Sequence, residues 1–186
     1  MAKTALLVMD VQGAFVPRLA QSSDYLPRLA KTIAAARPSV VKVIYTRVAF
    51  RPGHPEISPS NPTFSAAVKS KSFVEGSPET LIDPSIAPQE GDVLVDKKRV
   101  SAFSGSGLDI ILSSLGIETV VLAGMSTGGV VLSTVLEASD KDFGVVVLKD
   151  LCVDADETLH NTLMDKIFTK RGQVVEAEKW LETLKA

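Results

Sequence analysis

The chain has 186 residues, 45% of them hydrophobic and 23% charged, with a formal net charge of −2. That length and balance fit one globular domain over 1–186 with a full core, and exclude global disorder. Without a basic excess, neither nucleic acid nor an anionic membrane is an expected partner. Cys152 is the single cysteine, which excludes an internal disulfide and multi-cysteine metal sites and points to a reducing, cytoplasmic setting.

Ala5–Met9 is a continuous apolar run ending at Asp10. It is far too short to span a membrane, which takes about 20 residues. It also lacks the cleavage site of a secretory signal, so neither feature is expected. The run reads as a strand buried on both faces, as in a parallel sheet covered by helices. Val40–Tyr45, Val93–Val95, Thr119–Ala123 and Gly144–Leu148 repeat the pattern, and Val174-Val175 is a short sixth strand.

Helical spacing lies between them. Tyr25–Arg37 places Leu26, Leu29, Ile33 and Ala36 on one face, and Leu108–Leu115, Glu157–Phe168 and Glu176–Leu184 follow the same period. Val130–Ala138 is apolar nearly all round, which fits burial in a core or an interface. The alternation predicts a three-layer, doubly wound α/β fold with a mostly parallel sheet of about six strands. Ala49–Pro88 interrupts it, holds most of the prolines, and reads as a functional loop or lid.

Ligands of open α/β sheets bind beyond the carboxyl ends of the strands. The candidates there are Asp10, Arg47, Lys97 and the Gly124–Gly129 loop. Asp10 suits a general acid or base; burial would raise its pKa and a nearby Lys97 would oppose that. Lys97 suits binding of a carboxylate or of developing negative charge. The backbone N–H groups of the 124–129 loop suit an oxyanion. The plainer alternatives are a loop-capping Asp10, an exposed Lys97 and Thr127 as an ordinary N-cap. Phe15 is a candidate pocket wall. Arg47, Arg51 and His54 could bind an anionic substrate or be solvated loop charge, and Lys98 and Arg99 read as surface charge. Cys152 reads as a small buried residue beyond the fifth strand, and His160 as a packing or capping residue.

Four segments, in order, resemble the isochorismatase-like hydrolases: Leu7-Val8-Met9-Asp10-Val11-Gln12, Lys97-Lys98-Arg99-Val100-Ser101-Ala102-Phe103, Val121-Leu122-Ala123-Gly124-Met125-Ser126-Thr127, and Leu148-Lys149-Asp150 through His160. The resemblance implies that Asp10 and Lys97 are catalytic. It implies that Met125, Ser126, Thr127, Gly129 and Val130 hold the substrate or an oxyanion, with a cis peptide near Met125-Ser126. It also implies a homo-oligomer. Amidase-type members read G-x-x-T-x-x-C-V where this chain has Gly124 to Val131, so Val130 takes the place of the cysteine. A valine cannot attack a carbonyl. Members that hydrolyse isochorismate also lack the cysteine and cleave a vinyl ether with a proton donor and water.

Some amidase members bind a metal through Asp and His after the second strand. Here Arg47 to His54 supplies one histidine and no carboxylate before Glu56, so no metal and no other cofactor is expected. The implied activity is hydrolysis of a small, carboxylated metabolite, with Asp10 as acid and Lys97 as anion binder. The alternatives are water attack on another small amide or ester, or a silent ligand- or partner-binding member.

Overall fold

A computed structural model describes residues 3–19 and 24–185. Strands β1 (Thr4–Met9), β2 (Val41–Val48), β3 (Val93–Lys97), β4 (Thr119–Met125), β5 (Gly144–Val153) and β6 (Gln173–Val175) form one six-stranded sheet in the order β3-β2-β1-β4-β5-β6. Every neighbouring pair is parallel, where a mostly parallel sheet was expected. β1 carries no polar stripe because both of its faces are buried. Ala5, Leu7 and Met9 of β1 enter one core with Leu108, Leu112, Val135 and Phe168. Leu6 and Val8 enter the other with Tyr25, Leu29, Ile33 and Trp180. Successive side chains of a strand point to opposite faces, so one apolar run feeds both layers.

The helices of the first layer are α3 (Leu108–Ser114) and α4 (Leu132–Asp140), and those of the second are α1 (Tyr25–Ala36) and α6 (Ala177–Thr183). A π-helical turn, Thr127–Val131, leads from β4 into α4. Its continuation is buried through Thr134, Val135 and Ala138, in keeping with its apolar sequence. The expected helix over Glu157–Phe168 is instead α5 (Glu157–Thr162), a π-helical turn and a short 3-10 turn.

Strand ends extend beyond the apolar runs. β2, β3 and β5 continue through polar residues because the neighbouring strand completes their hydrogen bonds, whatever the side chain. Val40, expected in β2, lies outside it and is exposed. Cys152 falls inside β5, not past it, because the register against β4 jumps from Leu122↔Val147 to Gly124↔Cys152.

The interruption between β2 and β3 is an organised lid. It contains α2 (Ser65–Ser70) and a small core of Val48, Phe50, Ile57 and Ala67, against which Phe15, Phe64 and Phe73 pack. Gln12 ties it down from beneath. Its buried amide donates to the carbonyls of Val48 (3.0 Å) and Glu79 (2.9 Å), and its Oε1 accepts from Val48 N (2.7 Å).

Gly124 lies beside Met9 with φ at +147°, and a Cβ there would sit 2.2 Å from the Met9 carbonyl oxygen. Gly124→Ala should therefore cost roughly 2–4 kcal/mol through strain and overpacking. Urea unfolding would read this as a lower midpoint with an unchanged slope. A loss below about 0.5 kcal/mol, typical of surface changes, would mean β1 and β4 can separate freely.

Candidate active site

β1 and β4 are neighbours whose crossovers run in opposite directions, so their carboxyl ends flank the switch point of the sheet, where open α/β folds leave a crevice. A cavity of about 350 Å³ opens there. Asp10, Lys97, Phe15, Met125, Ser126, Gly129 and Val130 all line it. These are seven of the eight residues the sequence proposed for the site. Thr127 does not line it: its side chain is fully buried and its Oγ1 hydrogen-bonds His160 Nδ1 at 2.8 Å. Thr127 is not the N-cap either, since Ser126 occupies that position. His160 thus anchors the start of the π-helical turn, and burial lowers its pKa.

Asp10 leaves β1 in the left-handed region, with φ at 60°, a conformation that Asp tolerates better than most side chains. The ladder still holds it, because Asp10 N donates to the Thr46 carbonyl at 2.9 Å. Its Oδ2 lies 2.9 Å from Lys97 Nζ, with the two side chains only 6% and 1% exposed. Thr46 Oγ1 donates to Oδ1 at 3.4 Å. Burial is the largest influence on Asp10 and outweighs the opposing Lys97 charge, so its pKa is raised above the ordinary 3.8.

Lys97 is saturated. Besides Asp10, its ammonium donates to the carbonyls of Arg99 and Val100, each at 2.9 Å. An ammonium has three donors, so none remains to bind a substrate carboxylate while this network is intact. The expected exposed alternative does not hold either. Ser101-Ala102-Phe103 explains how the lysine is held: all three are buried, Ser101 Oγ donates to Glu137 at 2.6 Å, and Ala102 N donates to Thr134 Oγ1 at 3.0 Å. The segment is thereby fixed to α4.

The peptide bond Met125-Ser126 is cis, as the resemblance implied. In the turn that follows, Gly129 N and Val131 N both donate to the Ser126 carbonyl, at 3.2 Å each. Gly128 N donates to Asp154 at 2.6 Å. Among the described residues, the N–H groups of Ser126 and Val130 meet no acceptor outside their own helical turn. A Cβ at Gly129 would come within 2.6 Å of Ser126 Oγ, so a side chain there would require that hydroxyl to rotate away.

The basic residues proposed on the lid are committed elsewhere. Arg47 Nε pairs with Asp96 at 2.6 Å, Arg51 pairs with Glu56 at 3.7 Å, and His54 Nε2 hydrogen-bonds the Ser72 carbonyl at 2.7 Å. Lys98 and Arg99 are not free surface charge. Lys98 bonds the Ala49 carbonyl and pairs with Glu75 at 3.1 Å, and Arg99 donates to the Glu56 carbonyl at 3.0 Å. Both clamp the lid because their chain segment runs directly beneath it.

Cys152 is buried and does not line the cavity; burial pushes its thiol pKa far up. Sequence reasoning missed Val48, Thr63, Phe64, Val100, Val153, Asp154 and Ala155, which complete the wall. Val100, Val153, Asp154 and Ala155 lie at or just past the carboxyl ends of β3 and β5. Among the described residues no cluster of His, Cys, Asp and Glu is arranged to hold a metal, and no helix is long and apolar enough to cross a membrane.

This geometry can hold a small molecule against one buried carboxyl group and the turn that follows the cis peptide. Comparison with known proteins agrees on the scaffold. Residues 4–179 match the isochorismatase domain family. A maleamate amidohydrolase from Pseudomonas putida is 29% identical over 98% of this chain and 87% of its own. An isochorismatase family protein from Burkholderia thailandensis superposes with a TM-score of 0.84 at 28% identity, covering 99% of this chain and 96% of its own. A cysteine hydrolase from Pseudomonas syringae pv. phaseolicola shares the fold, with a TM-score of 0.87 at 22% identity over 98% of this chain and 92% of its own. With a match over nearly its whole length and an Asp–Lys pair at the switch point of the sheet, this chain belongs to the isochorismatase family of hydrolases.

Proposed function

We propose that this hydrolase cleaves a small, amide-like substrate in the Asp10–Lys97 cavity with water, not a thiol, as nucleophile. The observation that carries this reading is the buried Asp10–Lys97 pair in a cavity that Val130, and no cysteine, lines. Val130 stands where amidase-type members carry the nucleophile. Asp10 takes a proton from water as the water oxygen bonds to the carbonyl carbon. The tetrahedral oxyanion is held by the N–H groups of Ser126 and Val130. Asp10 then returns the proton to the leaving nitrogen as the C–N bond breaks, giving a carboxylic acid and an amine or ammonia. Lys97 keeps the carboxylate in place throughout. The maleamate amidohydrolase among the relatives supports an amide as the bond cleaved.

A second reading is favoured by the raised pKa of Asp10. A neutral Asp10 protonates the carbon of a vinyl ether, water adds to the oxocarbenium carbon, and the hemiketal collapses to a ketone and an alcohol. The pH profile separates the two. A panel of small amides and esters, and isochorismate followed by pyruvate release, identifies the bond cleaved. As pH climbs through the raised pKa of Asp10, kcat should rise if Asp10 is the base and fall if it is the acid. A profile flat across the acid range would remove Asp10 from proton transfer and sink both readings.

A further inference from the structure

Asp154 follows β5, two strands from the Asp10 position across the sheet, or roughly 10 Å at the usual strand spacing. The β4 loop lies between them, so the cavity reaches from the Asp10–Lys97 pair past Ser126 and Val130 to a second carboxylate. Asp154 Oδ2 accepts from Gly128 N at 2.6 Å and its Oδ1 accepts from Asp156 N at 3.2 Å. A carboxylate has about four acceptor sites, so it keeps acceptors to offer and has no donor. Most of the other lining is apolar, including Phe15, Phe64, Val130 and Val153. Lys97 is the one cation among the lining residues, and Asp10 already offsets it.

Building on the reading of this cavity as the substrate site, we propose that Asp154 determines substrate class. The site takes a small neutral or cationic molecule that turns an N–H donor toward Asp154, and it discriminates against carboxylates. The substrate so defined differs from the carboxylated metabolite that the sequence alone suggests, and it lacks the carboxylate that maleamate, the substrate named for one relative, carries beside its amide. A bound carboxylate would face Asp154 without a free cation among the lining side chains, at a point where partial burial strengthens the repulsion. A neutral amide or an amidinium meets the same group as a hydrogen-bond partner.

Matched probes test this without requiring turnover. Benzamide, benzamidine and benzoate share a ring and differ in charge. Calorimetry or ligand-observed NMR at neutral pH should show benzoate binding at least tenfold more weakly than the other two. Asp154→Asn keeps an acceptor for Gly128 N and removes the charge, so it should narrow that gap about tenfold while the melting temperature stays close to wild type. A purely structural Asp154 would leave the ratio unmoved. Benzoate binding as tightly as benzamide, a ratio unchanged in Asp154→Asn, or failure of all three probes to bind at millimolar concentration would each overturn the proposal. Selective binding without hydrolysis of any panel compound would instead overturn only the hydrolytic mechanism.

Discussion

Replacing Asp10 with asparagine should lower kcat by about 10²–10⁴-fold, the range that a positioned acid or base contributes. Asparagine is the informative substitution. It occupies the left-handed conformation at φ 60° as readily as aspartate does, whereas alanine would add backbone strain. Its carbonyl oxygen can still accept from Lys97, which also retains the Arg99 and Val100 carbonyls. The fold should therefore survive, as circular dichroism and a melting curve would show, while proton transfer is lost. Full activity in a folded Asp10→Asn protein would place the chemistry elsewhere or reduce the cavity to a binding site.

The largest stability effect is expected from Lys97→Met. Methionine approximates the volume of lysine but leaves Asp10 as a buried charge without its partner, and the Arg99 and Val100 carbonyls without their donor. Breaking a buried ion pair from one side costs about 3–5 kcal/mol. The pair is better tested as a cycle: Asp10→Asn combined with Lys97→Met should recover much of that loss, since no buried charge remains.

The pH dependence has a definite sign. The pKa of Asp10 is raised in the folded protein, above its ordinary 3.8, by burial first. Its folded form therefore holds the proton more tightly than the unfolded chain does. The corresponding stability is fully present below the unfolded pKa and is lost as pH rises through the folded one. Without Lys97 the opposing charge is gone and that window widens upward. Lys97→Met should thus be closest to wild type in acid and furthest from it at neutral pH. Equal destabilisation in acid and at neutral pH, read by urea unfolding, would show that packing and not charge dominates the Lys97 site.

Both substitutions bear on how the site was legible in the sequence. Asp10 and Lys97 stand next to or at the end of apolar runs, and the rule that ligands meet the carboxyl ends of parallel strands is enough to select them. It does not say what they touch. Lys97 was expected to bind an anion, but its three donors meet Asp10, Arg99 and Val100. Two of those partners are carbonyls, which have no side-chain signature. Thr127 fits a loop that faces ligand, yet its side chain turns inward to His160, 33 residues away. Thr63 and Phe64 reach the cavity from a lid whose sequence has no periodicity, so nothing local announces which of its side chains will face the cavity.

The sequence by itself determined the alternation of strand and helix, the burial of the central strands on both faces and the strand-end positions of Asp10 and Lys97. These follow from hydrophobic period and chain order, which are local properties. Tertiary structure decided the all-parallel strand order, the extension of β2, β3 and β5 through polar residues, the reach of Thr63 and Phe64 into the crevice, and the placement of Asp154 beside Gly128. Each of these depends on a hydrogen bond or contact between residues far apart in the chain. Local pattern records which face of an element is apolar, and only packing fixes which partner that face and its ends will meet.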